Sequence, residues 1–167
     1  FGTVDLEYAA SKNIPVTNLG GYSNESVAEF SIAILLWKMR NIQEGLKRAA
    51  DNNFDETGMR ARELRGSEFG VVGLGSIGGR VAEIAAGFGA NVNYYSRSKK
   101  DVSYAYKDVV DLMATSDYVS VNVAESAETT GLISREALRA LKPGSILVTT
   151  VPLSVIDLEA LHERLAV

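Results

Sequence analysis

Three glycines at G-x-G-x-x-G spacing, Gly73, Gly75 and Gly78 in VVGLGSIGGR, constrain the fold of this chain more than any other feature. They follow EFGVVGL (68–74), a short Val-rich stretch that reads as a strand. They precede a segment in which Val81, Ile84, Ala85 and Phe88 fall at i, i+3, i+4 and i+7, the spacing of one helix face. A strand that runs directly into a helix must turn tightly. Gly73 permits the turn, Gly75 lets backbone approach an anion, and Gly78 lets helix and strand pack closely. The free N–H groups of the first helical turn and the helix dipole face that same anion. With Gly89 placed as a C-cap and NVNYYS (91–96) as the next strand, the unit fills residues 68–96. That is about the 30-residue span of a dinucleotide-binding βαβ. A purely structural turn uses the same residues, but the strand before and the helix after are the setting in which this spacing holds a pyrophosphate.

The alternation continues beyond that unit. DYVSVNV (117–123) and SILVTT (145–150) are strand-like, and Ser134 is placed to cap SREALRAL, which Lys142-Pro143-Gly144 stops. Strand, helix, strand repeated implies a parallel sheet, and right-handed crossovers put helices on both of its faces. The expected class is α/β, a doubly wound sheet of the Rossmann kind.

The tip of the second strand selects among dinucleotides. About 20 residues past the glycines, an Asp or Glu would accept hydrogen bonds from the ribose hydroxyls of NAD. This chain has Ser96 there, followed by Arg97, Ser98, Lys99 and Lys100. Serine does not repel a 2′-phosphate, its hydroxyl can donate to one, and Arg97 offers a planar fork, so NADP is preferred and NAD is second choice. A solvated basic turn, partly offset by Asp101, is the plainer alternative.

Composition narrows the rest. At 167 residues, 46% hydrophobic and 23% charged, the chain has an ordinary globular make-up with one core. A formal net charge of -4 leaves no global basic field to recruit nucleic acid. Cysteine is absent, which excludes disulfides, thiolate metal sites and cysteine nucleophiles and makes the cytoplasm the default. No metal site is expected. The most apolar stretch, FSIAILLW (30–37), is far below the roughly 20 residues that span a bilayer, so no membrane is expected as partner.

FGTVDLEYAASKN reads as a helix already under way and LHERLAV as the inside of another, which suggests a piece of a longer polypeptide. IPVTNL (14–19) is a short strand candidate, GGYSN a turn, and Ser23 or Ser26 the cap of a long helix running to about residue 50. Ser26 with Glu29 fits a capping box. From Val27 to Met39 that helix is apolar nearly all round, more than one face against one sheet requires. Burial inside its own domain is one reading; the favoured one is a homodimer formed through the helix around 26–46. DNNFDETGMRARELRG then reads as a charged connecting arm.

Four ordered motifs, GYSNESVAEF, ELRGSEFGVVGLGSIGGRVA, SDYVSVNVAESAETTGLIS and LKPGSILVTT, resemble the cofactor-binding domain of the D-isomer-specific 2-hydroxyacid dehydrogenases over nearly the whole chain. The serine-arginine tip is similar to that of the family's NADP-using glyoxylate and hydroxypyruvate reductases. The resemblance implies an end of a substrate-domain segment over 1–21 and an incomplete dinucleotide-binding domain over 22–167, with the rest of the substrate domain missing. It implies that Ser76 and Ile77 present backbone to the pyrophosphate, that Val123, Ala124, Thr150 and Val151 approach the ribose and nicotinamide, and that Thr129 lies near the adenosine half. The complete protein would act on a small 2-oxo or 2-hydroxy acid.

Two departures stand against that pattern. Where the family has an Ala-Arg-Gly turn whose arginine grips the substrate carboxylate, this chain reads Val151-Pro152-Leu153. Proline brings no charge and no N–H donor. Ala124-Glu125 replaces the family's common Pro-Leu. The family's acid-base histidine and its glutamate partner belong to segments beyond residue 167, so no catalytic residue is expected in this chain. His162, on DLEALHERLA with Asp157 as N-cap, reads as an ordinary helix histidine. Three functions follow: the cofactor domain of an NAD(P)-dependent 2-hydroxyacid dehydrogenase, inactive by itself; a non-catalytic dinucleotide-binding, dimerising module, which Pro152 would explain; and an adenosylmethionine-dependent methyltransferase, against which the four motifs argue.

Overall fold

Short Val- and Tyr-rich segments have little polar side-chain content, so their backbone groups are satisfied only by pairing with one another inside a layered core. In the computed structural model, which describes residues 4–166, they do so as five parallel strands: β1 (Glu68–Val72), β2 (Asn91–Tyr95), β3 (Ala105–Tyr106), β4 (Tyr118–Val121) and β5 (Ile146–Thr149). Their order in the sheet is β3-β2-β1-β4-β5, with Val72 level with both Tyr95 and Val121, and Val121 level with Thr149. The helices are α1 (Leu6–Ser11), α2 (Asn24–Met39), α3 (Ile42–Ala50), α4 (Ser76–Gly87), α5 (Val109–Thr115), α6 (Arg135–Ala140) and α7 (Leu158–Leu165).

Side-chain alternation along β1 separates two cores. Phe69 and Val71 join Ile32, Leu35, Val81 and Ala85 beneath α2 and α4. Val72, with Val119 and Val121 of β4, joins Leu112, Ile133, Leu138 and Val155 beneath α5, α6 and α7. Helices therefore cover both faces, the doubly wound class expected. The four anticipated strands form within a residue or two of their expected ends, and α4, α6 and α7 form where expected, α6 and α7 with the anticipated N-caps. On the anticipated α4 face Val81 and Ala85 are buried, whereas Phe88 is the exposed C-cap, and Leu158 and Leu165 of α7 are exposed. Ser134 Oγ accepts from Ala137 N–H and Asp157 from Ala160 N–H. Gly89, at φ +85°, follows the C-cap of α4.

Several expectations fail for local reasons. The helix expected to run unbroken to about residue 50 breaks at Asn41, which adopts φ 52° and donates from Nδ2 to the Arg60 carbonyl at 2.9 Å. Asparagine tolerates the left-handed region better than most residues, and α3 begins directly after it at Ile42. The capping box at Ser26 does not form: Ser23 is the N-cap, and Ser26, inside the first turn, donates to the Ser23 carbonyl instead. Residues 14–19 form no strand, since no neighbouring strand supplies their hydrogen bonds among the described residues. Of the opening segment, α1 begins only at Leu6, where the Asp5 carboxylate accepts from Tyr8 N–H at 2.8 Å. Residues 1–3 of that segment, and Val167 of the closing one, lie outside the described residues. The connecting arm at 51–66 contains no helix or strand.

Candidate functional site

The strand order reverses between β1 and β4, so the chain leaves their C-terminal ends in opposite directions and a crevice opens between the departing loops. A cleft of about 950 Å³ occupies that place. Its floor is the Gly73-Leu74-Gly75 turn, one wall is the tip of β2 from Tyr95 to Arg97 with Lys100, and the other is the loop after β4 from Asn122 to Thr129.

Each glycine of the motif meets a different physical demand. Gly73 sits at φ +95°, and an added Cβ would lie 2.7 Å from Val123 Cγ1. A Cβ on Gly78 would lie 1.9 Å from the Gly73 carbonyl oxygen, so helix and turn are in direct backbone contact there. A Cβ on Gly75 would meet nothing within 4 Å. Its open side faces the cleft, where a ligand can approach backbone. Gly79 N–H is the first to bond back into α4, at 2.7 Å from the Gly75 carbonyl, which leaves the N–H groups of Ser76, Ile77 and Gly78 without intrahelical acceptors. An open backbone beside free N–H groups fits a pyrophosphate.

At the β2 tip, Ser96 is only 7% exposed and its Oγ donates to the Ser98 carbonyl at 2.6 Å. The proton expected for a phosphate is thus used within the loop, and Ser96 presents lone pairs. Tyr94, buried in β2, pins the loop by accepting from Lys100 N–H at 2.7 Å. Arg97 is 88% exposed and places Nη1 3.0 Å from Glu128 Oε2 on the opposite wall. Lys100 lines the cleft; Ser98 and Lys99 do not, and Lys99 Nζ lies 5.3 Å from the centre of the Tyr106 ring.

The opposite wall is held by Thr129, whose Oγ1 donates to the Ala124 carbonyl at 2.7 Å and accepts from Ser126 N–H at 2.8 Å. Val123 and Ala124 line the cleft beside it; Thr150 and Val151, which follow β5, do not. Pro152 caps a single 3-10 turn, Leu153–Val155. Ser154 in that turn donates to Glu125 Oε1 at 2.5 Å, and its carbonyl accepts from Gly131 N–H at 2.9 Å. The loop after β4 and the turn after β5 are therefore bonded to each other. His162 is exposed on α7 and does not line the cleft.

Seven of the expected residues thus share one cleft: Gly73, Gly75, Ser96, Arg97, Val123, Ala124 and Thr129. Leu74, Tyr95, Asn122 and Glu128 join them without having been anticipated. Leu74 is implicit in the glycine motif, whereas nothing in the sequence pairs Glu128 with a residue 31 positions earlier.

The family model described as the NAD binding domain of D-isomer specific 2-hydroxyacid dehydrogenase matches residues 32–167. Glyoxylate reductase of Aeropyrum pernix is 34% identical over 177 residues, covering 99% of this chain and 53% of its own length. Hydroxypyruvate reductase of Thermotoga maritima is 32% identical over 163 residues, covering 96% of this chain and 53% of its own. D-Lactate dehydrogenase from Aquifex aeolicus, solved with NAD and lactic acid, superimposes with a TM-score of 0.89 at 33% identity, over 99% of this chain and 51% of that one. The chain spans about half the length of the relatives it matches.

Proposed function

The chain belongs to the D-isomer-specific 2-hydroxyacid dehydrogenase family, and from that premise we propose that it is the cofactor-binding part of an enzyme that moves hydride between a nicotinamide dinucleotide and a small 2-hydroxy or 2-oxo acid. The observation that carries this reading is the glycine turn opening onto a cleft at the point where strand order reverses. Residues 22–167 are the dinucleotide-binding domain and 1–21 the end of a substrate-domain segment.

The nicotinamide cofactor supplies the hydride when bound; the chain's own residues hold and orient it. Ser76 and Ile77 offer backbone N–H groups to the pyrophosphate, beside the open face of Gly75. Arg97, with Lys100 behind it, favours NADP over NAD. Thr129 keeps the adenosine-side loop in place, while Val123 and Ala124, with Thr150 and Val151 beyond them, border the ribose and nicotinamide. The substrate carboxylate finds no forked cation at Pro152, so hydride transfer depends on groups outside this chain, which by itself turns over no 2-oxo acid. A homodimer through residues 26–46 completes the picture.

A second reading has a specific observation in its favour. By its motif resemblance Pro152 takes the place of the family's arginine, and Ser154, in the turn Pro152 caps, is bonded to the Glu125 carboxylate, which brings an anion and not a cation beside that turn. A dinucleotide-binding, dimerising module without turnover accounts for both. Fluorescence titration of the chain with NADPH and NADH, at low and moderate salt, tests what the readings share. Tighter NADPH binding whose advantage shrinks with salt supports the Arg97 assignment; binding of neither dinucleotide defeats both readings. Assay of the full-length protein with 2-oxo acids separates the two.

A further inference from the structure

The cleft lining contains one carboxylate, Glu128, and it is spent on the cation expected to recognise the ligand. We propose that Glu128 is a specificity-determining residue at the adenosine end of the cleft: by pairing with Arg97 it opposes a ribose 2′-phosphate and narrows the preference for NADPH that Arg97 alone would set. This rests on the dinucleotide reading above and adds to it a residue that acts against the phosphate.

Both walls contribute. Arg97 projects from the β2 tip almost wholly into solvent, and its Nη1 meets Glu128 Oε2 at 3.0 Å across the cleft mouth. A phosphate that takes the same guanidinium comes within roughly 6 Å of that carboxylate. For a doubly charged phosphate in water, this repulsion weakens binding about threefold at physiological ionic strength and about tenfold at low salt. The carboxylate does not leave with its loop, because the turn that carries it is tied down by the Thr129 bonds to Ala124 and Ser126. Ser96 works in the same direction. Its proton is given to the Ser98 carbonyl, so toward the cleft it accepts, which suits a ribose hydroxyl and not a phosphate. The tip therefore holds two opposed sets of groups: Arg97 and Lys100 attract a 2′-phosphate, while Glu128 and the Ser96 lone pairs suit an unmodified ribose.

The pair is exposed on both sides and contributes little to folding, so Glu128→Gln, Arg97→Gln and the double variant should all fold as the parent does, checked by circular dichroism. Each is titrated with NADPH and NADH by nicotinamide fluorescence, and with 2′,5′-ADP and 5′-ADP by calorimetry. Glu128→Gln should tighten NADPH and 2′,5′-ADP about three- to tenfold, with the larger gain at low salt, and leave NADH and 5′-ADP within about twofold. In the Arg97→Gln background, where no guanidinium draws the phosphate up to the carboxylate, that gain should be smaller. An unchanged NADPH-to-NADH ratio in Glu128→Gln, or a gain of the same size without Arg97, overturns the inference while leaving the dinucleotide reading intact. Failure of the parent chain to bind any of the four ligands overturns both.

Discussion

Gly78 and Gly79 are neighbours in the first turns of α4, yet alanine should act on them in opposite directions. A methyl group on Gly78 meets the Gly73 carbonyl oxygen at 1.9 Å, and neither helix nor turn can yield without displacing the other. Overpacking of this kind costs about 1–3 kcal/mol. Because the displaced segment is the floor of the cleft, dinucleotide affinity should fall with it. A methyl group on Gly79 meets nothing within 4 Å, and replacing a helical glycine by alanine gains up to about 1 kcal/mol. Urea denaturation of Gly78→Ala and Gly79→Ala checks the pair; equal effects would contradict the packing account. These glycine roles were legible in the sequence because a strand-to-helix turn makes the same backbone demands wherever it occurs. The roles of Ser96 and Glu128 were not. The Ser96 hydroxyl finds an acceptor two residues on, a local competition that no motif records, and the partner of Arg97 becomes its neighbour only once β2 and the loop after β4 share one edge.

At the end of the strands opposite the cleft, Asp117 holds three elements together just before β4. Its carboxylate accepts from Glu68 N–H at 2.9 Å and from Lys142 Nζ at 2.9 Å, tying β4 to the start of β1 and to the loop that leads into β5. Burial, the largest single influence, pushes the carboxyl up. The Lys142 ammonium, the Glu68 N–H and the charge of Arg62 together outweigh it and hold the group below the ordinary aspartate value of 3.8. A depressed folded-state value means that the contribution is complete above the unfolded value and is lost as pH falls through the folded one. Asp117→Asn should therefore be less stable than the parent at pH 7, and the gap should close as pH drops below about 3.8, where the parent's own carboxylate becomes neutral. Denaturation at pH 7, 4, 3 and 2.5 measures it; a gap independent of pH would assign the loss to shape and not to charge. The four longer strands were legible because each carries several apolar residues between turn signals. The two-residue β3 is too short to have a period. The Asn41 break was hidden because apolar residues continue on both sides of it, and only the bond to Arg60 shows what holds Asn41 in place.

For the molecule as a whole, what α2 buries was readable and what it leaves uncovered has to be assigned. Ala28, Ile32, Leu35 and Met39 lie against α4 and the sheet, the ordinary stripe of a covering helix. Phe30, Ile34 and Trp37 remain 59%, 38% and 45% exposed on its other side, and Leu46 of α3 extends the apolar surface past the break. An apolar-all-round helix in the sequence signals a second partner without naming it, because one chain's pattern does not distinguish a copy of itself from another domain. A second copy is the partner we infer: one helix crossing its symmetry mate presents the same side chains twice, and a stable contact of this kind buries about 800 Å² on each side. Ile34 lies between Phe30 and Trp37 in sequence and is 38% exposed, so an aspartate there puts an unpaired charge inside the contact while leaving the buried stripe intact. Sedimentation should show a dimer for the parent and a monomer for Ile34→Asp, with unchanged helical circular dichroism and unchanged dinucleotide binding. A monomeric parent, or an Ile34→Asp variant that remains dimeric, would remove α2 from the interface and leave its apolar side to contact another part of the full-length protein.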